Sequence, residues 1–195
     1  MLILVRHGRT VANATGLLQG RIDNPLDPVG SQQARAIAAT LSPLVSPRVL
    51  SSPLQRARQT AAALGVAVEI DERFIELDYG TLDGVPVRDV GAEVWARWRA
   101  DPGFVPAGGE SLADLQARVE GACAELAAEA AERDVVVFSH VSPIKAVVAW
   151  ALGVGPETSW RMTLGQATIT RVRTGGVPAL VSFNEDTHLS TVEMV

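Results

Sequence analysis

The sequence contains little of several residue types, and each shortage excludes a class of protein. One cysteine, Cys123, excludes an intrachain disulfide framework and a cysteine-rich zinc site. The 17 Lys and Arg residues are outnumbered by 22 Asp and Glu, which argues against nucleic acid as the main partner. No window approaches the roughly 18 uncharged apolar residues of a transmembrane helix, and the apolar N-terminal run is too short for a signal peptide. These shortages predict a cytoplasmic protein without a membrane partner.

Lysine and aromatic residues are also scarce. Lys145 is the only lysine, so arginine supplies nearly all of the positive charge. Aromatic residues make up 5% of the chain and hydrophobic residues 47%, so aliphatic side chains and alanine must form the core. The 195 residues suit one domain spanning 1–195, and Cys123 lies in an alanine-rich helical pattern that predicts burial. A local arginine cluster can still bind an anion in such an acidic protein.

Strand-like apolar runs alternate with helical patterns along the chain. Residues 2–5 and 135–138 are continuous apolar runs, which are typical of buried strands. Residues 8–30 are rich in Gly, Asn, Asp and Pro and are predicted to form a long loop. The other predicted elements are strands at 48–51, 67–70, 167–172 and 179–183, and helices at 31–41, 53–64, 87–100, 111–131 and 143–152. The alternation predicts an α/β layer architecture with a mainly parallel sheet.

Two of the three histidines follow predicted strands. His7 comes directly after the first strand, and His140 comes after residues 135–138 and one serine. Because ligands of open α/β sheets bind beyond the carboxyl ends of the strands, we expect both histidines to face one crevice. Arg6 adjoins His7, and Arg56 lies in the first turn of a predicted helix, where unpaired N–H groups favour an anion. Each residue alone has a structural explanation, but the four together favour an anion site.

Sequence blocks around these residues resemble the signature of the histidine phosphatase (phosphoglycerate mutase-like) superfamily. In chain order they are LVRHGRT at 4–10, SSPLQRARQTA at 51–61, ELDYG at 76–80, GES at 109–111 and VFSH at 137–140. The blocks occur in the family's order and span almost the whole chain, which makes the match far more specific than a lone Arg-His-Gly. The resemblance implies a three-layer α/β sandwich, with a mainly parallel central sheet flanked by helices.

The resemblance also implies a role for each matched residue. His7 would be the nucleophile that becomes phosphorylated, and Arg6, Arg56 and His140 would surround the phosphoryl group. Glu76 would protonate the leaving oxygen and then activate water; without the resemblance it would be interpreted as an exposed loop acid. Fixed positive charge around the phosphoryl group removes the need for a metal, so neither a metal ion nor an organic cofactor is expected.

Three further positions are candidates for substrate binding. Asn13 and Gln19 are expected to donate to phosphate or to substrate, although turn formation alone would explain an asparagine there. Val141 stands where this superfamily commonly has glycine after the second histidine. Its N–H could bind phosphate, while its side chain narrows the approach. Three other arginines, Arg9, Arg21 and Arg58, are either substrate-facing or exposed. His188 is either structural or a tail residue.

These observations leave four functional interpretations. The leading one is a metal-independent phosphatase that hydrolyses the phosphate monoester of a small metabolite. The segment 76–140 is short where mutases of the superfamily carry a longer insertion, which favours hydrolysis over a cofactor-dependent phosphoglycerate mutase. A non-catalytic phosphate-binding module is disfavoured because all catalytic positions are filled. A metal hydrolase using His7, His140 and Glu76 comes last, because the adjacent arginines would repel a dication. The natural substrate and the oligomeric state stay open, with a homodimer as one alternative.

Overall fold

A computed structural model describes residues 1–190 and 192, and six strands of this part form one sheet. They are β1 (Leu2–Arg6), β2 (Arg48–Ser51), β3 (Glu69–Ile70), β4 (Val135–Ser139), β5 (Ile169–Arg173) and β6 (Ala179–Glu185). Their order across the sheet is β3-β2-β4-β1-β5-β6. The first four are parallel to one another, whereas β5 and β6 are antiparallel to their neighbours. The predicted mainly parallel α/β sheet is confirmed.

Helices cover both faces of the sheet. Those in the described part of the chain are α1 (Val11–Ala14), α2 (Pro28–Leu41), α3 (Gln55–Ala62), α4 (Ala92–Ala100), α5 (Leu112–Glu132) and α6 (Val141–Leu152). One hydrophobic cluster joins the sheet to α5 and α6, and a second cluster on the other face joins it to α2 and α3. The molecule therefore has three layers, helix on sheet on helix.

The central strand β1 shows why its sequence is continuously apolar. Successive side chains of a strand point to opposite faces, so Leu2 and Leu4 enter one cluster while Ile3 and Val5 enter the other. Each such buried aliphatic side chain stabilises the fold by about 1.5–3 kcal/mol relative to exposure. A strand covered on both faces has no polar side, which is the pattern the sequence displays.

Several helix boundaries differ from the prediction. Helix α2 begins at Pro28 rather than residue 31, because the Asp27 side chain accepts the Gly30 N–H at 2.7 Å and proline suits the first turn. Helix α3 begins at Gln55 rather than residue 53. Helix α6 begins at Val141 rather than residue 143, so His140 is its N-cap residue. Ser111 caps α5 through a bond from the Asp114 N–H, close to the predicted start.

Other predicted elements are shorter, shifted or subdivided. The strand predicted at 67–70 is reduced to the two exposed residues of β3 at the sheet edge. The loop predicted at 8–30 contains α1, and the helix predicted at 87–100 is a 3₁₀ turn (Val87–Asp89) followed by α4. Strand β5 starts two residues later than predicted, and β6 extends two residues further. Cys123 is fully buried on α5, as predicted. Across the described residues no helix combines the length and apolarity that crossing a bilayer would need.

Candidate active site

The strand register places the two histidines side by side. In the parallel pair β1–β4, Arg6 is opposite Ser139, so the next residues, His7 and His140, leave the sheet at neighbouring points. The His7 N–H extends the ladder by donating to the Ser139 carbonyl at 3.0 Å. The two imidazole rings lie 5.1 Å apart between centroids, at an interplanar angle of 55°. The fold therefore brings both histidines to one crevice, where they were expected.

Hydrogen bonding fixes the tautomer of His7. Its Nδ1 lies 2.8 Å from the Gly8 carbonyl, which can only accept, so Nδ1 carries the hydrogen. Burial, reinforced by the positive charges of Arg56 and Arg6, lowers the pKa of His7 well below the usual 6.5. The ring is therefore neutral near pH 7, with its lone pair on Nε2. A neutral imidazole with a free Nε2 is a competent nucleophile.

His140 has the opposite tautomer. The Arg56 Nε–H donates to His140 Nδ1 at 3.2 Å, so that nitrogen accepts. The Nε2–H then donates to the Ser52 hydroxyl at 2.7 Å. Burial and the charge of Arg56 also lower the pKa of His140 well below 6.5. In this state His140 orients the Arg56 guanidinium beside the His7 ring.

Arg56 is almost completely buried, and hydrogen bonds hold its guanidinium in place. Besides His140, its Nη1 donates to the Ile22 carbonyl and its Nη2 to the Gly20 carbonyl, both at 2.7 Å. Each Nη group retains one N–H for an additional acceptor. Burial lowers the pKa of Arg56, but the nearby Glu76 charge opposes the shift. Arg56 therefore offers a fixed, preorganised pair of donors.

Arg6 supplies a second cation with unused capacity. Its Nη1 donates to the Leu164 carbonyl at 2.5 Å, while its buried Nε has no acceptor among the described residues. Burial lowers the pKa of Arg6 to about 10, so the side chain stays charged at neutral pH. Arg6 lines the same cavity as His7 and Arg56, so its charge acts on an anion bound there.

Glu76 lies at the N-terminus of α6 rather than in solvent. Its Oε1 accepts the N–H groups of Leu77 (2.8 Å) and Ser142 (3.1 Å), and its Oε2 accepts that of Val141 (3.1 Å). The side chain is only 5% exposed. The interpretation as an exposed loop acid is therefore wrong. The Val141 N–H, expected to face phosphate, is bonded to Glu76 in this state.

An ion-pair network holds the loop that carries Glu76. The Glu76 carbonyl accepts from Arg118 Nη2 at 3.3 Å and from Arg21 Nε at 3.5 Å. Both arginines also bind the Glu110 carboxylate, and Arg21 lies 3.4 Å from Asp78. Networked, partly buried ion pairs stabilise more than isolated surface pairs. This network therefore holds the loop that carries the Glu76 carboxylate.

These groups line a cavity of about 130 Å³, which we call the catalytic cavity. Its lining includes Arg6, His7, Asn13, Gln19, Arg56, Glu76, Tyr79 and Val141. The amide oxygen of Asn13 accepts the Thr10 backbone N–H at 3.1 Å, and that of Gln19 accepts the Thr10 hydroxyl at 2.9 Å, which leaves their NH₂ groups as donors. The cavity thus combines a neutral imidazole, two guanidiniums, amide donors and one carboxyl group. Such a set can bind a phosphoryl group and transfer it.

The chain matches the model of the histidine phosphatase superfamily (branch 1) over residues 2–186. The chain belongs to this superfamily. It is 36% identical over 167 residues to phosphoserine phosphatase 1 of Hydrogenobacter thermophilus, covering 82% of this chain and 79% of that protein. It is 32% identical over 194 residues to a probable phosphoglycerate mutase of Yersinia enterocolitica, covering 93% and 88%. A mutant phosphoserine phosphatase of Entamoeba histolytica, solved with phosphoserine, has a TM-score of 0.88 at 29% identity, covering 96% and 98%.

The predicted resemblance to the histidine phosphatases and the predicted fold are therefore confirmed. The relatives bear out the expectation of a phosphoric monoester hydrolase. The eight residues predicted to be catalytic or substrate-binding all lie in or beside the catalytic cavity, with His140 contacting its lining through His7 and Arg56.

The basic residues without an assigned role lie outside the cavity lining. Arg9 pairs with Asp27 at 2.7 Å, and Arg58 is exposed on the outer side of α3. Arg21 belongs to the network around Glu76. His188 Nε2 lies 2.8 Å from the Ala167 carbonyl, which is a structural contact. Across the described residues no group of three or more His, Cys, Asp or Glu side chains could hold a metal ion, which includes the trio His7, His140 and Glu76.

Sequence reasoning missed several residues that this histidine phosphatase uses to build the site. Ser52 binds His140, and its position just after β2 at the same sheet edge was the available signal. Thr60 accepts the Gly8 N–H at 3.0 Å and donates to the Arg56 carbonyl, linking α3 to the strand end. Gly20 and Tyr79 line the cavity, and only their location within the family blocks pointed to them.

Proposed function

We propose that this chain hydrolyses the phosphate monoester of a small metabolite, with His7 as the nucleophile. The observation that carries the proposal is the tautomer of His7. Because Nδ1–H is bonded to the Gly8 carbonyl, Nε2 keeps its lone pair in a cavity that also contains two guanidiniums. The relatives that are named phosphatases support hydrolysis as the outcome.

In the first step Nε2 of His7 attacks phosphorus, and the bond from phosphorus to the ester oxygen breaks. The remaining N–H groups of Arg56 and the guanidinium of Arg6 bind the equatorial oxygens, where the transition state carries negative charge. The amide groups of Asn13 and Gln19 add neutral donors. Glu76, when protonated, gives its proton to the departing oxygen, so the alcohol leaves neutral.

In the second step water attacks phospho-His7. Glu76, now ionised, accepts a proton from that water, and the bond from Nε2 to phosphorus breaks as inorganic phosphate forms. His140 positions Arg56 in both steps through the 3.2 Å bond from Arg56 Nε. Val141 lines the cavity next to Glu76, which accepts its N–H. The reaction requires no metal ion and no organic cofactor.

A phosphoglycerate mutase reaction is the second candidate, favoured by the relative of that name. The mutase would return the phosphoryl group from His7 to bound product instead of to water. The short segment between Glu76 and His140 favours water as the acceptor. A cytoplasmic location, a single domain over 1–195 and a homodimer as one possible assembly stay predictions.

Hydrolysis of a generic aryl phosphate with and without chelator tests this proposal against its rivals. We expect release of inorganic phosphate that chelator does not change and that His7→Ala abolishes. Inhibition by chelator would indicate the metal hydrolase. Phosphate binding without turnover by any ester would indicate the binding module. Interconversion of phosphoglycerates faster than phosphate release would indicate the mutase.

A further inference from the structure

A second cavity of about 170 Å³ adjoins the catalytic cavity, and we call it the side cavity. The two share Leu18, Tyr79 and Val141 as lining residues, so an ester held at His7 can extend from one into the other. The walls of the side cavity are mainly apolar and aromatic, formed by Leu77, Trp95, Trp98, Leu112 and Trp160. Its small size and apolar lining suit a compact apolar group.

Two residues in the walls of the side cavity carry unused donors. The buried indole N–H groups of Trp98 and Trp160 have no acceptor among the described residues. Native proteins satisfy almost all buried donors, so two wall residues of one cavity with unused donors favour a ligand acceptor there. Trp98 is itself 1% exposed and forms part of the wall of the side cavity.

Lys145, the only lysine of the chain, lies in the same cavity. Its ammonium group donates to the Ser159 carbonyl at 2.9 Å, and no carboxylate of the described residues lies within 4.0 Å of it. The nearby Glu76 carboxylate is occupied by three backbone N–H groups. A half-buried ammonium group that no carboxylate contacts directly favours an anionic ligand.

Arg99 adds a second positive charge near the tryptophans of the side cavity. The Arg99 guanidinium lies 5.9 Å from the Trp95 ring centroid and 5.7 Å from that of Trp160. Both charges favour an anion, whereas a ligand ammonium group would be repelled by Lys145.

We propose that the side cavity binds the alcohol portion of the substrate, and that Lys145, Trp98 and Trp160 bind a carboxylate on it. This inference rests on the proposed function and narrows its substrate class. The substrate is the phosphate monoester of a hydroxy acid with an apolar, preferably aromatic, body. The apolar walls select the body, and the three donors select the carboxylate.

Two pairs of aryl phosphates test the inference: 3- and 4-carboxyphenyl phosphate against 3- and 4-carbamoylphenyl phosphate. The carbamoyl group is nearly isosteric and uncharged. It also withdraws electrons more strongly, so leaving-group chemistry works against the expected preference. We expect kcat/KM of the wild type to favour the carboxylate in at least one pair by about tenfold or more, as for a hydrogen bond to a charged group.

Lys145→Met should reduce that ratio to about one, because it removes the ammonium group and keeps the apolar stem. Trp160→Phe should reduce the ratio about fivefold, as expected for one lost hydrogen bond. The control is Arg88→Met, which removes a cation whose side chain is 83% exposed and should leave the ratio unchanged. Equal rates within both pairs for the wild type, or a ratio that survives in Lys145→Met, would overturn the inference.

A binding measurement separates this inference from the proposed function. We expect 4-hydroxybenzoate to quench tryptophan fluorescence of the wild type and of His7→Ala, with weaker binding to Lys145→Met. Hydrolysis of aryl phosphates without any carboxylate preference would refute the side-cavity proposal and leave the phosphatase proposal standing. Binding of 4-hydroxybenzoate that depends on Lys145, with no hydrolysis of any ester, would refute the phosphatase proposal alone.

Discussion

At the scale of single residues, Arg56 joins more parts of the site than any other side chain described above. Its guanidinium binds His140 and the carbonyls of Gly20 and Ile22, and it still offers two N–H groups to a ligand. This rigidity matters because a donor that is already oriented costs little to reorganise when charge develops on the phosphoryl group.

Arg56→Ala should therefore reduce kcat/KM by about 10²-fold or more, the typical cost of one transition-state donor. Competitive inhibition by phosphate and vanadate should weaken in parallel. Arg58→Ala is the matched control, because it removes an exposed cation from the same helix. Steady-state kinetics measure both variants, and unchanged vanadate inhibition in Arg56→Ala would remove this arginine from the site.

Glu76→Gln tests the acid through its dependence on the leaving group. The loss should be about 10²-fold or more on an alkyl phosphate, within the usual range for acid–base catalysis. It should be much smaller on an activated aryl phosphate, whose phenolate departs without a proton. Glu76 is also the base for water attack, so burst kinetics must isolate the transfer step.

Asp78→Asn provides the comparison for Glu76→Gln. Asp78 is the nearest carboxylate on the same loop, but it bonds the Gly80 N–H and lies near Arg21, outside the cavity lining. If Glu76→Gln loses equal amounts on both substrate types, Glu76 is not the acid, and Asp78 becomes the next candidate.

At the scale of elements, the loop between α1 and α2 shapes the site through Gly20. This glycine has a φ of +47°, and a Cβ there would lie 1.8 Å from Asp83 Oδ1. Asp83 cannot move freely, because its other oxygen accepts the Arg21 N–H at 3.0 Å. The same glycine's carbonyl holds Arg56.

Gly20→Ala should thus destabilise the protein and lower activity together. Gly16→Ala is the control, because Gly16 also has a positive φ but a Cβ there meets nothing within 4 Å. We expect Gly16→Ala to cost about 1 kcal/mol of unfolding free energy from backbone strain alone. Gly20→Ala should cost about 2 kcal/mol or more. Urea unfolding and kcat/KM measure both, and equal effects would contradict this description of the loop.

At the scale of the whole molecule, the buried histidines couple folding to pH. Burial and the adjacent arginines lower the pKa values of His7 and His140 well below 6.5, so below that pH the unfolded chain binds more protons than the folded chain. Their contribution to stability is complete above about pH 6.5 and falls with acidification, by up to about 1.4 kcal/mol per pH unit for each histidine.

Urea unfolding at about pH 7 and about pH 5.5 checks this dependence. The wild type should be less stable at the lower pH, and replacing both histidines by asparagine should flatten the slope in that window. An equally steep slope in the double variant would assign the dependence to other groups.

Those parts of the fold and of the site that depend on local sequence pattern could be predicted from the sequence. The apolar runs of β1 and β4 predicted central strands, and the strand ends then predicted where His7 and His140 would meet. The antiparallel direction of β5 and β6 depends on tertiary pairing, and no local pattern encodes it. The side cavity was missed for the same reason, because Trp98, Lys145 and Trp160 come from three separate segments. The Glu76 carboxylate looked exposed because two of its three N–H donors lie 65 and 66 residues further along the chain.

The central claim is that a phosphoryl group passes through Nε2 of His7. The most direct test of this claim is to trap the phosphorylated enzyme and to measure how stable the bound phosphate is in acid and in base. Rapid quench with radiolabelled substrate should yield protein-bound phosphate that is labile in acid, stable in base and located on His7 by peptide mapping. His7→Ala should lose both the label and turnover, because no other group in the catalytic cavity can replace this nucleophile. Wild-type turnover without any label on His7 would contradict the account.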